Sequence, residues 1–91
     1  MEAIFINNKV FIKLLIPEID KSYDISLPVN KRIGNIINLL SMAVSEMSNG
    51  ELRPSKNNVL YNARTGEKYM PNTLLLNTNI RNGTILVLLT N

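Results

Sequence analysis

The hydrophobic period changes at Pro28, and that change limits what the chain can fold into more than any other feature. Val10, Ile12, Leu14 and Ile16 recur at every second position, the spacing of a β-strand, with Phe11, Lys13 and Leu15 between them. Pro17 has no N–H to offer a ladder and should end that strand. Residues 18–22 form a polar connection of hairpin length. Tyr23, Ile25 and Leu27 then alternate with Asp24 and Ser26, a second strand with one polar face. The two strands read as an antiparallel hairpin. Ahead of it, residues 3–6 (Ala-Ile-Phe-Ile) either extend the first strand or pair separately across Asn7-Asn8, and residues 1–8 are set apart as an N-terminal extension.

After Pro28 the spacing is helical. Ile33, Ile36, Ile37, Leu40, Val44 and Met47 follow the three-and-four rhythm of an amphipathic helix, with Ala43 on the same side. Asn30 is the candidate N-cap, and Ser48-Asn49-Gly50 stops the helix, with Asn49 or Gly50 suited to a left-handed conformation. Lys31 and Arg32 then fall in the first turn, where the helix dipole disfavours cations by a few tenths of a kcal/mol. They read as solvated side chains or as a basic spot for an acidic protein partner.

Residues 51–58 form a loop, Val59-Leu60-Tyr61 a short strand, residues 64–67 a turn and residues 68–70 another short strand halted by Pro71. Residues 72–79 hold a helical turn whose three leucines should cover one end of the core. Asn82-Gly83 is a turn ahead of the last strand, Thr84 to Thr90. One helix between a hairpin and later strands predicts an α+β roll, a mixed sheet packed on one main helix, in a single domain spanning 1–91. The last strand is apolar on both faces and should lie centrally. A right-handed crossover sets it parallel to the first.

Composition excludes much chemistry. Among 91 residues there is no cysteine and no histidine, which removes thiol nucleophiles, disulfides and the commonest metal ligands and general base. The four glycines are too scattered for a phosphate loop, and Glu18, Asp20 and Asp24 lack the spacing of a calcium loop. The expectation is therefore a non-enzymatic chain with no cofactor and no metal. The longest apolar run, residues 85–89, is far short of a bilayer span, and no leader is evident, so a cytoplasmic location without membrane insertion is expected. The net charge is +3. The basic residues are scattered among acids and only 5% of residues are aromatic, which disfavours nucleic acid as a partner. The 14 asparagines fit a turn-rich surface. Asn82-Gly83-Thr84 matches a glycosylation sequon but reads more simply as a turn.

What remains is surface. If Ile85, Val87 and Leu89 face the helix, then Leu86 and Leu88 point outward, joined on the neighbouring strand by Leu60. Such an apolar patch is a candidate protein-binding site. It is either a real interface or a small patch screened by the stems of Lys13 and Arg64 or by residues 4–6.

Val10-Phe11-Ile12-Lys13 opening a hairpin, Ile25-Ser26-Leu27 closing it, Ile33 at the start of the helix and the closing Gly83-Thr84-Ile85-Leu86-Val87-Leu88 resemble ubiquitin. The runs from Asp24 to Ile37 and from Ile80 to Leu88 resemble the YukD/EsaB family, small ubiquitin-like accessory proteins of Gram-positive type VII (WXG100, ESX-like) secretion systems. The resemblance spans about residues 9–90 and implies a ubiquitin-like β-grasp roll with a cytoplasmic accessory or regulatory role. It implies a protein partner, a secretion-system component, and aligns Leu60 and Leu88, with Leu86 near them, with ubiquitin's recognition patch. The sequence closes on Leu89-Thr90-Asn91 in place of Gly-Gly, which disfavours the alternative of a modifier or sulfur carrier. A nucleic-acid-binding regulator is the third reading.

Overall fold

The computed structural model describes residues 8–90, so the two readings of residues 3–6 lie outside the described residues. Strands β1 (Lys9–Ile16) and β2 (Lys21–Pro28) pair antiparallel from Lys9 opposite Pro28 to Ile16 opposite Lys21. Pro17 ends β1 as expected. A single 3-10 turn, Pro17–Ile19, follows, and the chain reverses at Asp20 with φ 54°, a left-handed conformation that Asp tolerates better than most residues. Strand β3 (Asn58–Asn62) runs antiparallel to β4 (Ile85–Thr90), and β4 runs parallel to β1. The order β2-β1-β4-β3 puts the doubly apolar β4 inside the sheet and sets first and last strands side by side. Both outcomes match the sequence expectation.

Helix α1 (Ile33–Met47) packs on one face of this mixed sheet. Ile33, Ile36, Ile37, Leu40 and Val44 interleave with Val10, Ile12, Leu14 and Ile16 of β1, with Leu60 of β3 and with Leu86 and Leu88 of β4. Each fully buried aliphatic side chain contributes about 1.5–3 kcal/mol. These therefore form the layer that holds the fold together. Met47, expected on the apolar stripe, is 46% exposed at the last residue of the helix, while Leu52 of the following loop is buried in the core. Ser41 is buried instead, its Oγ accepting the Ser55 N–H at 3.1 Å and so tying that loop to the helix.

The helix starts differently from the expectation. Arg32, not Asn30, precedes the first turn, and no side chain caps it. The N–H groups of Ile33 and Gly34 donate instead to the carbonyls of Thr73 and Pro71, at 2.8 and 2.9 Å. A loop distant in sequence thus satisfies donors that a side chain ordinarily would. The approach is close: a Cβ at Gly34 would lie 3.3 Å from the Pro71 carbonyl oxygen, so a side chain there would push the loop back by a few tenths of an ångström. Lys31 and Arg32 consequently lie outside the helix, not in its first turn. The far end follows the sequence reading. Asn49 and Gly50 take φ of 55° and 85°, with Asn49 N–H donating to Glu46 and Gly50 N–H to Ser45 in a Schellman motif.

Residues 68–70 form only an isolated bridge, Tyr61 to Lys68, and not a strand. After Tyr69 N–H donates to Leu60, the chain leaves the sheet to cap α1 through Pro71 and Thr73. Of the three leucines expected to close the core, Leu75 alone is buried; Leu74 is half-buried and Leu76 is 54% exposed. The 3-10 geometry of Leu75–Asn77 points one of three consecutive side chains inward.

Candidate functional site

The register of the sheet decides which apolar residues reach solvent. Leu14 faces the helix from β1, and it pairs with Leu86 of β4, which therefore faces the helix as well. Leu60 pairs with Leu88 and shares that side. Leu60, Leu86 and Leu88 are thus 0%, 0% and 1% exposed. The expected outward patch of these three leucines is corrected: they are core. A one-residue change of parity turns a whole strand over, and β4, apolar at five consecutive positions, carries no internal mark of which set faces inward.

The residues assigned to the helix side, Ile85, Val87 and Leu89, are the ones on the open face. Val87 is flanked by Leu15 on β1 and Tyr61 on β3, while Leu89 is opposite Val59. Each of these is half-buried by its neighbours alone. Among the described residues, no helix or strand covers this side of the sheet. Phe11, one turn of the pleat from Lys13, is 62% exposed, an unusual position for a phenyl ring. A shallow groove of about 600 Å³ runs beside it, lined in part by Lys13, Asp24, Ser26 and Ile85.

The rim is polar and largely cationic. Lys13 lies beside Ile85 and reaches Asp24 across β2 at 3.6 Å, an exposed pair. Lys68, bridged to Tyr61, stands on the same face at the opposite edge, and Lys9 extends it along β1. Lys68 is held in place from behind. Asn62 Nδ2 donates to the Tyr69 hydroxyl at 3.0 Å, that hydroxyl donates to Asn79 Oδ1 at 2.6 Å, and Asn79 Nδ2 donates to Glu67 at 3.1 Å. Asn62 Oδ1 accepts the N–H groups of Arg64 and Thr65, which closes the turn after β3. Burial pushes the Tyr69 hydroxyl above its usual pKa; the hydrogen bond from Asn62 opposes this and the Glu67 carboxylate adds to it.

Lys31 and Arg32 lie elsewhere. Their side chains are exposed in the helix layer, with the Arg32 guanidinium donating to the Asn72 carbonyl and the Lys31 carbonyl accepting the Leu75 N–H. The structure does not join them to the open sheet face. The Asn82-Gly83-Thr84 sequence is a turn, as expected, with Asn82 Oδ1 accepting the Phe11 N–H at 2.8 Å. Sequence reasoning missed Val87, Leu89, Ile85, Tyr61 and Val59. The available signal was Lys13: a cation on β1 marks the solvent face, and the parallel register carries that face to Ile85.

No protein-family model and no curated protein matches the chain. Solved structures do. The ubiquitin-like domain of an Arabidopsis thaliana protein aligns over 91% of this chain and 78% of its own, with a TM-score of 0.68 and 14% identity. Ubiquitin from Caldiarchaeum subterraneum aligns over 91% of this chain and 94% of its own, with a TM-score of 0.64 and 18% identity. A chain of the MycP5-free ESX-5 inner membrane complex gives a TM-score of 0.76 at 14% identity, over 92% of this chain but 21% of that one. Identities this low establish architecture and nothing finer. Among the described residues, no helix is long and apolar enough to cross a membrane. The chain has the ubiquitin-like β-grasp fold, and among the described residues no helix or strand lies over the sheet face opposite α1.

Proposed function

We propose that this chain is a non-enzymatic protein-interaction module that docks its partner on the open sheet face. The observation that carries the reading is the half-buried set Leu15, Val87, Leu89, Tyr61 and Val59 beside the 62% exposed Phe11, with no layer over them among the described residues. A contiguous apolar face of this kind, rimmed by polar residues, is characteristic of an interface. With Lys9, Lys13 and Lys68 against Asp24, the rim favours a partner that presents apolar side chains flanked by carboxylates.

The finer proposal is that the module serves a type VII secretion system as a cytoplasmic accessory or regulatory component. Two observations support it: the resemblance of residues 24–37 and 80–88 to the YukD/EsaB family, and the likeness in fold to a chain of an ESX-5 inner membrane complex. The test is calorimetric titration of the purified chain with the cytoplasmic part of an FtsK/SpoIIIE-type ATPase from such a system. Saturable binding that Val87→Asp abolishes, with the circular dichroism of the variant unchanged, is the expected result. Binding untouched by Val87→Asp would remove the sheet face from the proposal. No binding by the wild type would remove that ATPase as the partner.

A further inference from the structure

The sequence carries two Asn-Gly pairs, the dipeptide in which a side-chain amide is most exposed to attack by the following backbone nitrogen. We infer that Asn49 is a deamidation site of the folded protein and that Asn82 is held unreactive by the sheet. The inference is independent of what the sheet face binds.

The chemistry needs only water. The deprotonated Gly50 nitrogen attacks Asn49 Cγ, the Cγ–Nδ2 bond breaks, and ammonia leaves. Water then opens the cyclic imide at one carbonyl or the other to give aspartate or isoaspartate. The attack requires the glycine N–H to be free of its acceptor and the side-chain amide to be free to swing over it. Each pair must therefore open, and what has to open differs.

Asn82 is clamped on both counts by a single residue of β1. Its Oδ1 accepts the Phe11 N–H and the Gly83 N–H donates to the Phe11 carbonyl, each at 2.8 Å. Beside it, Lys13 N–H donates to Thr84 at 3.1 Å and Arg81 N–H to Thr84 Oγ1 at 2.8 Å. The clamp continues the parallel β1–β4 pairing at the middle of the sheet. Releasing it means opening that end of the β1–β4 pairing, with both bonds to Phe11 broken and the Lys13–Thr84 bond next in line, a larger opening than the loss of one bond at a helix end.

Asn49 sits where α1 ends. It is exposed, it has φ 55°, and no hydrogen bond to the described residues holds its side-chain amide. One hydrogen bond, Gly50 N–H to Ser45 at 2.8 Å, keeps the attacking nitrogen occupied. That bond closes the last turn of a helix; Ser48 and Leu52 on either side are buried and joined by the Leu52 N–H to Ser48 Oγ bond at 3.2 Å, but Asn49 and Gly50 between them are exposed. One hydrogen bond and no strand pairing has to open there, so the open form is populated far more often. The product places a carboxylate at the negative end of the helix dipole. In the isoaspartate form it also inserts a backbone methylene into the Schellman turn. The formal net charge falls from +3 by one unit.

Incubation of the full chain in mildly alkaline buffer, followed by peptide mass mapping, tests this. In native buffer the peptide with Asn49 should exchange NH2 for OH at least about tenfold faster than the peptide with Asn82. In denaturing urea the two rates should converge, because both amides are then equally free. Asn49→Gln, whose longer side chain closes the ring poorly, should remove the native-state product while leaving Asn82 unchanged. Equal native rates, faster loss at Asn82, or no native loss at Asn49 would each overturn the inference. So would a rate ratio that persists in urea, since local sequence and not the fold would then set it.

Discussion

The two faces of β4 are made from nearly the same material and do different work. Leu86 and Leu88 are buried against α1, while Ile85, Val87 and Leu89 are half-buried by their strand neighbours and stop there. Composition cannot separate them. What separates them is the register with β1, through the pairs Leu14–Leu86 and Lys13–Ile85. An apolar strand at the centre of a two-layer fold is asymmetric only through its partners. One of its faces is required for stability, and the other is free to be an interface.

Placing the same charge on each face gives the widest separation. Leu86→Asp puts an unpaired carboxylate in the core and also removes the leucine contacts, where even truncation to alanine costs about 2–5 kcal/mol. The expected outcome is loss of the cooperative unfolding transition in urea, read by circular dichroism. Val87→Asp leaves the carboxylate at the surface. Its cost is about 1–2 kcal/mol, mainly the poor fit of aspartate to a central strand. A cooperative transition at a lower midpoint is expected. If the two variants behave alike, the faces are not distinct and the open side is covered by something other than a partner.

That contrast also shows how much could be read from the residues alone. The hairpin, the helix stripe, the central place of β4 and its parallel pairing with β1 follow from periodicity, from Pro17 and from the handedness of the crossover. The α+β roll with its mixed sheet was therefore legible in the pattern, and the resemblance to ubiquitin gave it the β-grasp form. The site was not, because Ile85 to Leu89 has no polar residue to fix its parity, and parity decides whether Leu60, Leu86 and Leu88 or their alternates reach solvent. The start of α1 escaped for a different reason. Asn30 is a good cap by type, but the carbonyls of Pro71 and Thr73 reach the same donors from about forty residues away, and no local pattern reports such a contact.

A smaller effect is expected at the edge that carries Lys68. Tyr69→Phe removes the hydroxyl that joins Asn62 to Asn79. The net loss should be about 1 kcal/mol, as for a typical hydrogen bond, measured as a shift in urea midpoint. The core face is untouched by this change. A loss as large as that of a leucine truncation would mean that the network, and not the leucine layer, holds β3 in place.

The smallest effect lies at alkaline pH. The Lys21 ammonium is held above its ordinary pKa of 10.5, first by its hydrogen bond to Glu51 and then by that carboxylate's charge. Tyr69 is raised from 10.0 by burial. In both cases the folded state keeps a proton that the unfolded chain gives up more easily. The stability each contributes is therefore fully present below its ordinary value and is lost as pH climbs through the raised one. Urea midpoints should stay flat with respect to these two groups through neutral pH and fall only above about 10. Glu51→Gln should remove the Lys21 share of that fall and Tyr69→Phe the Tyr69 share. Because the Lys21–Glu51 pair is exposed and screened by salt, its share should shrink as ionic strength rises, while the share from buried Tyr69 should persist. An alkaline fall that vanishes entirely in high salt would assign it to the surface pair alone. One indifferent to salt would place it in the tyrosine network behind Lys68.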